Sequence, residues 1–307
     1  MAETKRTLDP SVKERLDLID WDGLKNSFGV TREAIEKNPK VASQLVYGAM
    51  TDLVQFNTGD ISGEVSLRAF PTPAESKDLW KVKGYTKQEE KSEDQKLFFY
   101  GEEIYSKAAK KALFEKTSWM GTDKDGKQVR KYGNANASTG IPVAFAFKKR
   151  DENGNVIMGP DGKPEREPKR SFILSIHQPT NQIVGIAVDK LKERLQNSKN
   201  GVSMYGVKLT DEQINQVANG GAVILKDCKN KKGESFNAAV QFDVSQMTLV
   251  PVHPTALKQA ERMGADLGIG KNSPSETSQK VENKPAKKSE KKAAPAVDRK
   301  PKTRLQR

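Results

Sequence analysis

Residues 203–250 constrain the fold of this 307-residue chain more than any other stretch, because their pattern predicts one compact unit. Thr210 is a typical helix N-cap, and Gln213 stands at the third helical position, where it completes a capping box. Gly220 and Gly221 end the predicted helix. Three strands are predicted next, over residues 222–225, 236–242 and 247–250, with a polar turn at 229–234. The stretch therefore predicts a helix followed by an antiparallel β-meander, with no catalytic constellation inside it.

The rest of the chain alternates short helical and short strand patterns. Two short helices are predicted within 21–47, further helices at 102–115, 189–196 and 255–267, and strands at 53–56, 64–70, 79–82, 141–147, 155–158, 171–177 and 182–188. The strand at 64–70 alternates apolar and polar residues, so we expect Ser66 and Arg68 on a solvent-facing side. Asn-Gly and Asp-Gly pairs at 153–154 and 161–162 mark tight turns. Together these patterns predict an α+β fold of antiparallel β-meanders with short peripheral helices.

The two helices within 21–47 allow two interpretations. They could form a helix-turn-helix that enters a DNA groove, or a structural helical hairpin that packs on a sheet. A recognition helix presents a polar face rich in basic side chains, whereas the second helix here mixes Arg32 with Glu33 and Glu36. The pattern therefore favours the structural hairpin.

The net charge of +13 is concentrated at the end of the chain. Residues 271–307 contain twelve Lys or Arg and four Asp or Glu, which leaves +5 for the first 270 residues. A segment rich in Lys, Ala, Pro and Ser cannot bury enough apolar surface to fold, so we predict a disordered basic C-terminal tail. Its charge fits either salt-sensitive contact with a polyanion or simple solvation. We divide the chain into a polar lead-in (1–18), an N-terminal α+β domain (19–200), a small helix-plus-β-meander module (201–268) and the tail (269–307).

Most chemistry with a recognisable signature is missing from the sequence. There is no phosphate-binding glycine motif, and two histidines cannot form a histidine-rich metal site. Asp123, Asp125 and Gly126 resemble the start of a calcium loop, but basic residues follow where oxygen ligands are needed, so a hairpin turn is favoured. His177 is interpreted as a strand-end structural or surface residue, and Cys228 as unreactive. We expect no enzymatic activity, no cofactor and no metal.

The sequence also predicts the cellular setting. No stretch approaches the roughly 18 apolar residues that cross a bilayer, and the first residues lack the apolar core of a signal peptide. A single cysteine, Cys228, excludes an internal disulfide framework and suits a reducing compartment. We expect a cytoplasmic protein with no membrane partner.

Three groups of cations are candidate contacts for nucleic-acid phosphates. One is a lysine turn at the tip of the predicted meander, one flanks a predicted hairpin, and one lies in the tail. Their members are Lys226, Lys229, Lys231 and Lys232 in the turn, Lys148, Lys149, Arg150, Lys169 and Arg170 at the hairpin, and Lys287, Lys288, Lys291 and Lys292 in the tail. If the two ends of the hairpin pair, its five cations gather at the base of one loop. Phe236 and Phe242, next to the lysine turn, are expected in the core because they fall on one face with Ala238 and Val240.

Two stretches resemble families of unknown function. The motifs G-V-x-L-T-x-E-Q at 206–213, G-G-x-V-x-L at 220–225 and K-K-G-x-x-F-N-A-x-V-Q at 231–241 are similar to a short domain of unknown function from bacterial conjugative transposons. That domain also occurs at the C-terminus of type IA topoisomerases carried by mobile elements. The runs at 21–36, 63–68 and 172–184 resemble a second family of unknown function that precedes it. Neither resemblance implies an established activity, and no tyrosine here stands in the context of a topoisomerase nucleophile.

Taken together, the resemblance and the basic tail predict a non-enzymatic accessory protein of a mobile genetic element that contacts nucleic acid and assists DNA processing or transfer. The expected partners are nucleic acid, DNA before RNA, and a type IA topoisomerase or another mobile-element protein. The alternative is a protein-interaction scaffold with no direct role in nucleic-acid binding. Salt separates the two, because phosphate contacts weaken steeply with salt and apolar docking does not.

Overall fold

The computed structural model describes residues 8–59, 61–72, 76–122, 126–198, 201–230 and 232–253. All of them belong to one compact unit, Met1–Ile269. The fold is α+β, as the sequence predicts: the described residues form seven helices and fifteen strands, and the strands pair antiparallel in small sheets. The predicted helix at 255–267 and the predicted disordered tail lie outside the described residues. Among the described residues, no helix has the length and apolar character needed to cross a membrane.

Four short helices cover a three-strand sheet at the start of the chain. The helices are α1 (Pro10–Leu16), α2 (Trp21–Phe28), α3 (Arg32–Glu36) and α4 (Pro39–Val46), and the strands, in sheet order, are β1 (Val54–Thr58), β2 (Ile61–Phe70) and β3 (Lys81–Tyr85). An Asp, Thr or Asn side chain caps the N-terminus of each helix by accepting a backbone N–H. Leu16, Leu45 and Leu67 lie in the core between the two layers. The helices within 21–47 thus pack on a sheet, as the structural interpretation predicts, and the expected lead-in contributes buried residues of its own.

Strand β2 is buried on both faces, which corrects the expectation of a solvent-facing side. Ser66 is 0% exposed and Arg68 is 8% exposed. The Ser66 hydroxyl donates to the Thr51 carbonyl at 2.7 Å, and an Arg68 terminal nitrogen lies 3.9 Å from the Met247 sulfur. The prediction was wrong because segments distant in sequence cover the second face, and local alternation carries no information about them.

The middle of the chain adds two β-hairpins, a helix and a second three-strand sheet. The hairpins are β4 (Phe98–Phe99) with β5 (Glu102–Glu103), and β6 (Lys116–Thr122) with β7 (Gln128–Asn134). Helix α5 (Lys107–Phe114) lies between the two hairpins in the sequence. The sheet has the order β10-β9-β8 and consists of β8 (Val143–Phe145), β9 (Arg170–His177) and β10 (Gln182–Ala187). Helix α5 starts later than predicted, because residues 102–103 pair in a hairpin and Ser106 provides the N-cap. The strand predicted at 155–158 is reduced to isolated bridges.

The last third of the chain contains the predicted helix-plus-meander unit. After α6 (Val188–Gln196), a hairpin of β11 (Ser203–Met204) and β12 (Val207–Lys208) leads into α7 (Asp211–Ala218), followed by β13 (Val223–Lys229), β14 (Ser235–Asp243) and β15 (Thr248–Pro251). The capping box of Thr210 and Gln213 is present. Gly220 and Gly221 donate backbone N–H groups to Val217 and Gln216, the pattern of a Schellman ending. The helix, its two ends and the meander are therefore confirmed.

One hydrophobic core contains residues from both sides of the expected domain boundary at 200. Ile173 and Leu191 from the preceding region pack in the same cluster as Val217, Leu225 and others of the module. The division into residues 19–200 and 201–268 stays a prediction, but the two stretches share buried apolar surface.

Hydrogen bonds of the Gln241 and Ser175 side chains also link residues on the two sides of position 200, and we call this group the polar seam. The Gln241 side chain is 1% exposed; its oxygen accepts the Ala137 backbone N–H at 2.7 Å, and its nitrogen donates to the Gly220 carbonyl at 2.7 Å. The Ser175 hydroxyl donates to the Ala137 carbonyl at 2.8 Å and accepts the Val244 N–H at 3.0 Å. These bonds tie the loop before β8 to strand β9 and to the meander.

Candidate nucleic-acid interface

The lysine turn lies at the tip of the meander, where sequence reasoning places it. Lys226, Lys229 and Lys232 are exposed, while Lys231 lies outside the described residues. Strand β13 contains a bulge between Leu225 and Cys228, with residue 227 at a positive φ of 56°. The extra residue returns Cys228 to the buried face and leaves Lys226 and Lys229 in solvent.

Asn230 shapes the turn itself. Its side-chain oxygen accepts the backbone N–H groups of Lys232 and Glu234 at 2.9 and 3.0 Å, and its nitrogen donates to the Glu234 carboxylate at 2.6 Å. The Lys229 ammonium donates to the Ser235 hydroxyl. None of the ion pairs among the described residues includes a lysine of this turn. The described part of the tip therefore presents cations that no carboxylate contacts.

An aromatic pair stands next to these lysines. Phe242 is 2% exposed, as expected, but Phe236 is 36% exposed, which corrects its placement in the core. Phe236 does fall on the inner face, opposite Cys228, but at the end of the strand, past the packed part of the sheet. Tyr205 covers it in part, with ring centroids 5.2 Å apart in an edge-to-face arrangement. The tip thus combines lysines with a partly exposed pair of rings.

The second basic group is spread along an irregular hairpin instead of gathering at one point. Phe145 pairs with Arg170, whereas Lys148 lies opposite Arg166. Three residues of extended chain separate these two levels, which is about 10 Å. Arg170 and its neighbour Lys169 therefore lie about 10 Å along the hairpin from Lys148. The five cations do not share one site.

Some members of this basic group are paired with carboxylates and others are not. Lys149 pairs with Glu165 at 2.9 Å, and Arg170 pairs with Asp189 at 3.2 Å. The Arg150 guanidinium donates to the Gly154 carbonyl at 2.6 Å and has no carboxylate partner among the described residues. Lys148 is exposed and likewise has none within the described ranges. Lys169 is exposed and also in no ion pair within these ranges, so Lys148, Arg150 and Lys169 are the members left to contact an anion.

Lys148 and Arg150 line an open pocket of about 520 Å³. Tyr100 and Phe147 provide its aromatic wall, with ring centroids 6.3 Å apart. Tyr100 is 65% exposed. The remaining lining residues are Gly101, Glu102 and Glu167. Glu102 is paired with Arg166 at 2.9 Å, so Glu167 is the one lining carboxylate without an ion-pair partner among the described residues.

The pocket and the lysine turn share a local device, an exposed tyrosine at the tip of a two-residue hairpin. Tyr100 and Gly101 join β4 to β5 with φ values of 48° and 81°, and Tyr205 and Gly206 join β11 to β12 with 53° and 81°. Two successive positive φ values are what a type I′ hairpin turn requires, and they are unusual for tyrosine. Each turn holds its tyrosine beside basic residues from a later part of the chain.

Sequence reasoning missed both tyrosines. The Tyr-Gly pair between two short β-prone segments was the available signal, but the strands that flank it have only two residues each. Such short strands have no periodicity that could reveal them. The lysines of the tail, Lys287, Lys288, Lys291 and Lys292, lie outside the described residues, as do Asp123 and Asp125 of the predicted turn.

Other side chains that could carry chemistry have structural partners. The His177 ring is 4% exposed and bonded through Nδ1 to the Thr180 hydroxyl at 2.8 Å, while burial lowers its pKa to about 4. Cys228 is fully buried, with its sulfur 3.6 Å from the Leu225 carbonyl. No group of three or more His, Cys, Asp or Glu side chains that could hold a metal occurs within the described residues.

Comparison with known proteins finds one family. No curated protein matches the chain, and no solved structure matches it. Residues 203–249 match the family model described as "Protein of unknown function (DUF3945)". The helix-plus-meander stretch therefore matches a domain of unknown function, as the sequence predicts.

Proposed function

We propose that this protein binds single-stranded nucleic acid without catalysing a reaction on it. The observation that carries the proposal is the pocket in which the exposed ring of Tyr100 stands beside Lys148 and Arg150. Proteins that bind single strands combine aromatic rings, on which bases stack, with cations that follow the backbone. Bases in a duplex are already stacked, so an exposed ring favours a single strand.

The tip of the meander supports the same proposal from a second place on the fold. There the pair of Tyr205 and Phe236 lies next to Lys226, Lys229 and Lys232. Two sites of the same composition fit a chain of several nucleotides better than a small ligand. The tail lysines, Lys287, Lys288, Lys291 and Lys292, add sequence-independent attraction to phosphates.

The cellular role follows from the resemblance of residues 203–250 to the module of conjugative transposons. We assign the protein the part of an accessory factor of a mobile element, which holds single-stranded DNA during processing or transfer and works beside a type IA topoisomerase or another protein of the element. Single-stranded DNA is the form that strand transfer generates, so the proposed ligand and the proposed role agree.

Fluorescence anisotropy with a labelled single-stranded oligonucleotide tests the pocket. Tyr100→Ala removes one stacking platform, which is worth about 1–3 kcal/mol per base, so we expect binding about 5- to 150-fold weaker. Tyr105→Ala is the matched control, because Tyr105 is 78% exposed, lies five residues away and does not line the pocket. The control should bind as the unchanged chain does.

Charge variants test the phosphate contacts in the same assay. Lys148→Gln with Arg150→Gln should lower the slope of log affinity against log salt by about 1.4, since each contact to a single strand contributes about 0.7. Glu167→Gln removes the unpaired carboxylate of the pocket and should tighten binding. Unchanged affinity in all three variants would leave the protein-interaction scaffold as the better account.

A further inference from the structure

Three arginines from separate elements meet at the turn that follows helix α4. The Arg194 guanidinium, from α6, donates to the Tyr47 carbonyl at 2.8 Å. Arg68, from β2, donates through Nε to the next carbonyl, that of Gly48, at 3.1 Å. The guanidinium carbon of Arg15, from α1, lies 5.1 Å from the centre of the Tyr47 ring. Consecutive carbonyls and one ring thus bring three cations to one place.

Within the part of the chain that the structure describes, no carboxylate balances this charge. None of the ion pairs among the described residues includes Arg15, Arg68 or Arg194. A fourth cation, Lys83, lies directly opposite Arg68 in the strand register, and both lie over the ring of Phe70, at 5.4 and 5.8 Å. Like charges placed opposite each other in a sheet destabilise it, and the Phe70 ring under both cations offsets part of this repulsion.

The positions of the three arginines suit an anion that arrives from solvent. Arg68 is buried to more than nine-tenths, and its Nη1 donates to no acceptor within the described residues. Arg15 and Arg194 are exposed, although the guanidinium end of Arg194 is shielded from water enough to lower its pKa. Gly48 has no side chain, and a Cβ there would lie 3.9 Å from Arg194 Nη1. Gly48 itself is buried, so the open side of the cluster is formed by Arg15, Tyr47 and Arg194, which are exposed.

The electrostatics of the cluster agree with a missing anion. Burial lowers the pKa of Arg68, opposed only by Tyr100 and Tyr85. Burial also lowers the pKa of Arg194, and repulsion from the charges of Arg15 and Arg68 lowers it further. A charge removed from water without an opposite charge beside it is unfavourable, and an oxyanion between the guanidinium groups would offset both the burial and the mutual repulsion.

We propose that Arg68, Arg194 and Arg15 form a binding site for a phosphate group. The planar guanidinium fork matches two phosphate oxygens at once, and arginine is the residue used where such bidentate recognition matters. Arg68 supplies the innermost donor, while Arg194 and Arg15 contact the phosphate from their exposed positions. The phosphate belongs either to a nucleic-acid backbone or to a free phosphate or phosphorylated small molecule. Tyr100 lies close enough to Arg68 to act on its pKa, but none of the three arginines lines the Tyr100 pocket, and the proposal does not rest on the proposed function.

Calorimetric titration of the full chain with inorganic phosphate tests the site, alongside thermal unfolding in phosphate and in chloride at matched ionic strength. We expect phosphate to raise the unfolding temperature beyond the effect of chloride. Arg194→Gln combined with Arg15→Gln, two exposed positions whose change leaves the core intact, should weaken phosphate binding by at least about tenfold. Arg32→Gln is the matched control, because Arg32 is paired with Asp17 and Glu36 and should not affect phosphate binding. Arg68→Lys, which keeps the charge and loses the fork, should also weaken it.

Oligonucleotide binding by the same variants identifies the source of the phosphate. Weaker oligonucleotide binding by the Arg194→Gln, Arg15→Gln chain supports the site with a backbone phosphate as its ligand. Unchanged oligonucleotide binding with lost phosphate binding supports the site with a free phosphate. Equal stabilisation by phosphate and chloride, or phosphate binding that survives the double change, would overturn the proposal and leave the arginines with a structural role.

Discussion

Replacing Gln241 by methionine should destabilise the protein more than most single changes. The methionine side chain fills nearly the same volume but makes neither of the two hydrogen bonds that Gln241 makes, to the Ala137 N–H and the Gly220 carbonyl. Each buried group left without a partner costs about 1–3 kcal/mol. The Ala137 bond is only part-buried, so we expect a total loss of about 3 kcal/mol, a large share of a typical stability of about 5–15 kcal/mol.

Urea denaturation followed by circular dichroism measures this loss. With a slope of about 3 kcal/mol per molar urea, the midpoint should fall by about 1 M. Gln196→Met is the matched control, because Gln196 is exposed at the end of α6 and should change stability by less than about 0.5 kcal/mol. A midpoint for Gln241→Met equal to that of the control would refute the claim that the polar seam stabilises the shared core.

Two further predictions concern stability. His177 has a pKa of about 4 in the folded chain against 6.5 for an ordinary histidine, so between these pH values the unfolded chain binds a proton that the folded chain does not. The free energy of unfolding should therefore fall by up to about 3 kcal/mol as the pH falls from 6.5 to 4. His177→Gln should flatten the stability–pH curve in that window, and an unaltered curve would exclude this histidine as its cause. Gly220→Ala should cost about 2–4 kcal/mol, because Gly220 has a φ of 85° and a Cβ there would lie 2.9 Å from the Ile173 side chain. Gly233→Ala, at a φ of 80° in open space, should cost only about 1 kcal/mol, and equal losses in thermal unfolding would mean that packing at Gly220 is unimportant.

The elements that the sequence predicted well are those whose signals are local. The helix between Thr210 and Gly220 has a capping box at one end and two glycines at the other, and each acts within a few residues. The hairpin of β9 and β10 and the meander likewise follow from alternation and turn residues. Bounds moved where strands were too short to show periodicity, as at residues 102–103, which pair with 98–99 in a hairpin instead of joining helix α5.

The site depended on contacts that no local pattern contains. Arg68 is buried because segments distant in sequence cover the second face of β2, and Phe236 is exposed because its strand extends past the core. Of the cations chosen from sequence, Lys149 and Arg170 turn out to have carboxylate partners 16 and 19 residues away. A run of positive charge shows where cations are, and only the fold shows which of them lack a partner.

The central claim is that the folded part of this chain binds single-stranded nucleic acid through exposed aromatic rings and unpaired cations. Anisotropy of the full chain tests it most directly, with single-stranded and duplex oligonucleotides of the same sequence, and with the tail lysines Lys287, Lys288, Lys291 and Lys292 changed to Gln. The account predicts that the changed chain still binds the single strand in preference to the duplex, with an affinity that falls steeply as salt rises from about 50 to 200 mM. Binding that disappears with the tail charges, or that is equal for both oligonucleotides, would contradict it.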